Sequence, residues 1–199
     1  MKKYFVTGID TDSGKTIVSA ILVEKLKADY WKPIQAGQPT DSDTISSLVG
    51  RDKKIHPEGI VLQAPMSPHA AAELEDINLK ADQFSVPMTD NTLIIEGAGG
   101  LMVPINDNEF VIGLAKIFDA QVILVSRNYL GSINHTMLSI DYLKSNGYDV
   151  AGIIFNDTPN RATEDFILNH SQLPCLGNID PLTEVNNKTI QSQLQNIKL

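Results

Sequence analysis

Gly8-Ile9-Asp10-Thr11-Asp12-Ser13-Gly14-Lys15-Thr16 is the stretch on which the fold turns. It follows a short apolar run, Tyr4–Val6, and opens a segment in which Ile17, Ile21, Leu22 and Leu26 recur at helical spacing. A glycine-framed turn between a strand and a helix, closed by Gly-Lys-Thr, reads as a phosphate-binding loop. The backbone N–H groups of such a turn and the helix amino terminus bind anionic oxygens without needing side-chain charge. Lys15 then reaches the β- and γ-phosphates of ATP, and Thr16 offers its hydroxyl to Mg²⁺. Five residues separate Gly8 from Gly14 instead of the usual four, which sets the loop among variants of the motif. A chance Gly-Lys-Thr at a helix start is the plainer reading, and the strand directly before it argues against that.

Outward from the loop, apolar runs recur at Tyr30–Ile34, Leu93–Ile95, Val122–Val125 and Val150–Phe155. Helical spacing lies between them, with Val111, Leu114, Ile117 and Phe118 in one stretch and Met137, Leu138, Tyr142 and Leu143 in another. Near-continuous apolar strands separated by helices specify an α/β fold: a doubly wound, mostly parallel sheet with helices on both faces, like that of P-loop NTPases. Pro57, Pro65, Pro68 and Pro87 punctuate residues 50–90, where long loops and short helices are expected. From Glu184 onward the chain is polar and reads as a surface helix or a frayed tail. With 199 residues and no linker composition, a single domain is expected.

The net charge of −8 argues against a nucleic-acid surface, which needs clustered Lys and Arg. A single cysteine, Cys175, forms no intrachain disulfide and fits a reducing compartment, so the cytoplasm is expected. The apolar run after Met1-Lys2-Lys3 is too short for a signal-peptide core, and no run approaches a membrane span. Four histidines without ligand spacing disfavour zinc.

Polar residues follow the ends of several strands: Thr7 and Asp10, Lys32, Glu96, Ser126 and Asn156. In an open parallel sheet the ligand crevice lies at those carboxyl ends, so these residues are expected to converge. Glu96 ends an apolar strand and precedes Gly97-Ala98-Gly99-Gly100; it is either a Mg²⁺ ligand beside the phosphates or a surface turn. Asp41-Ser42-Asp43 precedes a helical segment, and there Asp43 is the candidate second carboxylate, with helix capping as the alternative. Lys32 lies in an otherwise apolar run, where it needs a phosphate or carboxylate partner unless Pro33 marks an exposed edge. Ser67-Pro68-His69 and Gly131-Ser132-Ile133-Asn134-His135 supply hydrogen-bonding groups at helix starts. Asn156-Asp157 either reads a nucleobase edge or forms an Asx turn.

Taken in order along nearly the whole chain, these segments resemble the dethiobiotin synthetases. The resemblance rests on the lengthened phosphate loop, Lys32-Pro33, Ser42-Asp43, Ser67-Pro68-His69, Glu96 to Gly100, the Gly-x-Ile-Asn-His at 131–135 and Asn156-Asp157. It implies a Mg²⁺- and ATP-dependent ligase of biotin biosynthesis that converts 7,8-diaminononanoate and CO₂ into dethiobiotin, ADP and phosphate. A carbamate would form first, be phosphorylated, and then lose phosphate to the second amine. By position, Asp12, Ser13, Gly14, Lys15, Thr16 and Ile17 would hold the triphosphate, and Thr16, Asp43 and Glu96 the metal. Gly97, Ala98 and Gly99 would approach the nucleotide, with Asn156, Asp157, Ile179, Asp180, Pro181 and Glu184 around its base. Lys32 and Lys15 would be catalytic; Thr11, Lys32, Ala36, Ser67 and Asn134 would meet the substrate. The resemblance also implies a homodimer with substrate near the subunit interface. Asp12 stands where Glu is frequent, Ile9 where Thr is, and Ala36 where a substrate-contacting Ser or Thr is common; Asp180-Pro181 differs from the usual Pro-aromatic pair. Other readings of the same loop are a related amide-forming ligase and a nucleotide-switch ATPase.

Overall fold

The computed structural model describes all 199 residues, Met1 to Leu199. In chain order the elements are β1 (Lys3–Gly8), α1 (Lys15–Leu26), β2 (Asp29–Trp31), β3 (Ile34–Ala36), α2 (Asp41–Leu48), β4 (Ile60–Leu62) and α3 (Pro68–Leu74). There follow β5 (Leu93–Gly100), α4 (Gly113–Ile117), β6 (Gln121–Arg127), α5 (Ser132–Ser145), β7 (Val150–Asn156), α6 (Arg161–Ser171), β8 (Cys175–Ile179) and α7 (Asn187–Gln193). Six strands form one sheet in the order β2-β5-β1-β6-β7-β8, every pairing parallel. The result is the doubly wound α/β architecture expected from the sequence.

Strand alternation divides the core in two. Tyr4, Val6 and Ile94 project to the face covered by α1, α2 and α7, where Ile21, Leu22, Ile45 and Ile190 meet them. Phe5 and Ile95 project to the other face, packed with Ala71, Leu114, Ile140, Leu143 and Ile167 from α3 to α6. Both faces are covered, so the central strands are largely apolar; each fully buried side chain of this size contributes roughly 1.5–3 kcal/mol. No helix is long and apolar enough to cross a membrane.

One sequence expectation changes, and one open choice is decided. The run Tyr30–Ile34 is not one strand: β2 ends at Trp31, and after Lys32-Pro33 the chain leaves the main sheet to pair β3 with β4, Ile34 opposite Ile60. Pro33 lacks the N–H that continuing the ladder requires, while Lys32 and Pro33 accept from Gly59 and Ile60 through their carbonyls. Of the two readings of the chain end, surface helix or frayed tail, the helix holds. A capping box at Asn186 and Thr189 starts α7, Ile190 and Ile197 are buried, and Gly177 and Ile197 form an antiparallel bridge beside β8.

Candidate active site

β1 delivers the chain to its carboxyl end at Gly8, and the loop turns back into α1 through Gly14, whose φ of 92° is left-handed. Side chains fit at neither glycine. A Cβ on Gly8 would lie 1.9 Å from Ser13 Oγ, and one on Gly14 2.1 Å from Asn156 Nδ2. Lys15 Nζ donates to the Asp10 and Thr11 carbonyls at 3.2 and 2.9 Å, bracing the loop across its own mouth. Burial is the main reason the Lys15 pKa falls to about 8, with the Lys32 charge adding to it and Glu96, Asp41 and Asp10 opposing.

Beside the loop, four polar side chains from four elements or their edges converge. Glu96, 1% exposed, accepts through Oε1 from Thr16 Oγ1 at 2.9 Å and Lys32 Nζ at 3.3 Å. Asp41 Oδ1 lies 3.2 Å from the same Thr16 hydroxyl, whose single proton two acceptors therefore share, and Asp41 Oδ2 lies 2.5 Å from Lys32 Nζ. Lys32, 3% exposed, also donates to the Gly97 carbonyl at 2.9 Å. Burial would depress the Lys32 pKa, but the charges of Glu96 and Asp41 outweigh it and raise the value above that of a free lysine. For Asp41, burial pushes upward and the Lys32 charge outweighs it, holding the carboxyl below its usual range. The lysine is thus a buried cation between two carboxylates, not a solvated edge residue.

These groups open on a cleft of ≈ 740 Å³. Its floor is the phosphate loop from Thr11 to Ile17, one wall is Ile34 to Pro39 with Asp41, and the other is Pro65 to Pro68 facing Glu96, Ala98, Gly99 and Val103. Gln35 fixes the first wall: its Oε1 accepts from the Asp41 N–H at 3.0 Å, and its Nε2 donates to the Ala36 and Gly37 carbonyls at 3.2 and 3.1 Å.

A family model described as an AAA domain matches residues 2–189. The chain is 49% identical over 193 residues to an ATP-dependent dethiobiotin synthetase of Cytophaga hutchinsonii, covering 96% of this chain and 94% of that one. It is 50% identical over 182 residues to one of Christiangramia forsetii, covering 90% and 87%. The chain belongs to the dethiobiotin synthetase family. Among solved structures, a ParA family ATPase from Chlorobium tepidum superposes with a TM-score of 0.54 at 14% identity, covering 98% of each chain; that likeness concerns the fold alone.

Of the residues expected from the dethiobiotin synthetase resemblance, the cleft gathers Thr11, Asp12, Gly14, Lys15, Thr16, Ile17, Lys32, Ala36, Ser67, Glu96, Ala98 and Gly99. Ser13 and Gly97 lie directly behind them, touching Asn156 and Lys32 through their carbonyls. Ala36 offers no side-chain hydrogen bond to that wall. Asn156 donates from Nδ2 to the Ser13 carbonyl at 2.9 Å, and Asp157 is held by Arg127 Nε at 2.9 Å. Ile179 lies opposite Asn156 in the β7–β8 ladder, so Asp180, Pro181 and Glu184 follow beside that strand end, exposed. Asn134, exposed in the first turn of α5, lies outside the cleft. Ser126 turns away to the Thr136 hydroxyl, 2.8 Å away within the interior, so the convergence expected at the strand ends is partial.

Asp43, expected as the second carboxylate, stands apart from these contacts. Thr40 caps α2 by accepting from the Asp43 N–H at 3.0 Å, which makes Asp41 the first helical residue and turns the Asp43 side chain to solvent. Asp41 is the carboxylate that meets Thr16 and Lys32. The signal was in the sequence: Thr40-x-x-Asp43 is a helix-start pattern, and it sets Asp41 at the mouth of the turn. Gln35 and Tyr30 carry no such signal, since each becomes informative only when the β-segments are folded.

The chemistry of the donors can be tested against a cation. Thr16, Asp41 and Glu96 present oxygens only, and the chain holds no cluster of three or more His, Cys, Asp or Glu side chains. Such a set cannot enclose a metal by itself. It suits a hard ion that keeps water and phosphate oxygens among its ligands, as Mg²⁺ does.

Proposed function

We propose that this protein is an ATP-dependent dethiobiotin synthase, closing the ureido ring of 7,8-diaminononanoate with CO₂ at the expense of ATP. The reading rests above all on Lys32, a buried ammonium shared by Asp41 and Glu96 at the rim of the phosphate loop. A cation held there can face a carbamate oxygen and the transferring phosphoryl group at once.

In this reading the phosphate loop from Asp12 to Ile17 binds the triphosphate, and Lys15 meets its β- and γ-phosphates. Thr16, Asp41 and Glu96 hold Mg²⁺, which supplies neutralisation of the charge on the β- and γ-phosphates. Asn156, Asp157, Ile179, Asp180, Pro181 and Glu184 surround the base, and Gly97 to Gly99 let the backbone approach the nucleotide. Thr11, Ala36 and Ser67 contact the diamine. A neutral amine adds to CO₂ and loses a proton to give the carbamate. A carbamate oxygen then attacks the γ-phosphorus and ADP leaves. The second amine attacks the carbonyl carbon of the mixed anhydride, inorganic phosphate departs, and the amine proton is lost as the ring closes. No side chain becomes covalently bonded. The chain supplies orientation and positive charge where negative charge develops, and Lys32 is the residue placed to do so.

The active form in this reading is a homodimer in the cytoplasm. Supporting it, the exposed Leu138 of α5 and Met102 line one surface hollow with His135, next in the chain to Asn134.

The test mixes the purified protein with Mg²⁺-ATP, 7,8-diaminononanoate and heavy-carbon bicarbonate. Labelled cyclic urea formed one-for-one with ADP is the expected result. ADP release without that product would refute the assignment while leaving the phosphate loop in place.

A further inference from the structure

Tyr30 takes no part in the reaction above, yet its hydroxyl is buried against the carboxylate of Glu96. The register explains how. β2 and β5 run parallel with Tyr30 opposite Ile94 and Trp31 opposite Ile95. Side chains alternate along a strand, so Tyr30, Ile94 and Glu96 project from one face, the face that α1 covers. β2 ends at Trp31, so no strand residue of β2 stands opposite Glu96. The tyrosine side chain reaches forward past Ile94 instead, and its OH stands 3.2 Å from Oε2. An ionised carboxylate only accepts hydrogen bonds, so the phenol donates.

The two carboxylate oxygens therefore have divided duties. Oε2 is committed to Tyr30 in the interior, and Oε1 faces Thr16 and Lys32 at the cleft. We propose that Tyr30 is a positioning residue for the divalent-cation site: its hydroxyl fixes the Glu96 carboxylate with Oε1 turned toward Thr16. This rests on the reading of Thr16, Asp41 and Glu96 as the metal ligands. Without the hydroxyl, Glu96 has no interior donor to hold Oε2. Lys32 Nζ, already 3.3 Å from Oε1, is then free to draw the carboxylate toward itself and away from a metal. Partners that orient metal ligands from behind change metal affinity by about 10- to 100-fold when removed. The ring itself packs among Val18, Ile21 and Ile45, which phenylalanine preserves.

The experiment uses the full chain with a non-hydrolysable ATP analogue, and follows Mn²⁺ binding by the paramagnetic resonance signal of the free ion. Tyr30→Phe is expected to weaken Mn²⁺ binding by about 10- to 100-fold and to raise the Mg²⁺ concentration for half-maximal turnover by the same factor. Binding of the analogue in the presence of chelator stays at the wild-type value. Unchanged Mn²⁺ affinity overturns the inference, as does an equal loss of metal-free analogue binding, which would make Tyr30 a packing residue only. Glu96→Gln separates the two layers. If it weakens Mn²⁺ binding while Tyr30→Phe does not, the positioning role alone fails; if it leaves Mn²⁺ binding untouched, the metal assignment itself fails and takes the positioning role with it.

Discussion

Two buried carboxylates stand on adjacent strands at opposite ends of the sheet, and their surroundings differ in kind. Asp29 opens β2. Its oxygens accept from Thr89 Oγ1 at 2.6 Å and Asn91 Nδ2 at 2.9 Å, and His56 Nε2 lies 3.2 Å away. That network ties the start of β2 to the turn before β5 and to the segment that bridges Tyr30 and Ile55. Glu96, at the other end, shares one lysine with Asp41 and borders an open cleft. Asp29 has a donor for each acceptor and no second carboxylate in its network; it closes the fold. Glu96 belongs to a group in which two carboxylates share Lys32 and open on a cleft that an incoming ligand can reach.

The largest expected effect breaks the second group. Lys32→Ala should lower turnover by at least ~10²-fold, the usual loss for one transition-state charge stabiliser, while ATP binding by calorimetry is largely kept. Near-normal turnover would remove Lys32 from the mechanism. Asp41→Asn follows, with an Mg²⁺ requirement raised by about 10-fold or more, read from the metal dependence of ADP release.

Asp29→Ala attacks the other end and should behave oppositely. Stability to urea falls by about 1–3 kcal/mol as the buried donors lose their acceptor, and turnover per folded molecule is unchanged. Burial raises the Asp29 pKa, but the hydrogen bonds from Thr89, Asn91 and His56 and the His56 charge outweigh it and hold the carboxyl below its usual value. A depressed carboxylate stabilises above its unfolded pKa and loses that contribution as pH falls through the folded one. The stability gap between wild type and Asp29→Ala should therefore narrow below about pH 4.

Lys15 gives a smaller, pH-dependent effect of the opposite sign. With a pKa near 8, it loses its proton as the solution becomes mildly alkaline, whereas phosphate oxygens favour the charged form. Nucleotide affinity should fall above that value by up to about tenfold per pH unit, with proton uptake detectable by calorimetry in buffers of different ionisation heat. An affinity that stays flat across the alkaline range would mean that Lys15 does not contact the phosphates. The smallest effect belongs to Asp43→Asn, which should leave both melting temperature and Mg²⁺ requirement unchanged; a raised requirement would restore Asp43 to the site.

Much of the fold was legible because the central strands are apolar on both faces and the loop before α1 has few other uses. What was missed has local causes. β4 is three residues long, and β8, Cys175-Leu176-Gly177-Asn178-Ile179, mixes polar residues and glycine because it lies at the sheet edge. α6 carries little apolar sequence, with Ile167 buried where Phe166 is exposed. In the site, residues that act from short distances along the chain, such as Lys15 and Thr16, could be read from spacing. Tyr30 and Gln35 could not, since their partners are fixed by strand register and by a wall of the cleft. The choice between Asp41 and Asp43 depended on one helix boundary.

The strand order has a consequence for how the chain is made. β1 lies between β5 and β6, and β2 pairs only with β5, which begins at Leu93. During synthesis, then, every strand of the main sheet that has left the ribosome before Leu93 is without a neighbour, and only the small β3–β4 pair can form. The phosphate loop is made well before β5, yet the strand that presents it stays unpaired until β5 has followed. Such long-range parallel pairing slows folding and leaves apolar strand edges exposed meanwhile, so the early chain depends on what shields Tyr4 to Val6 until β5 arrives.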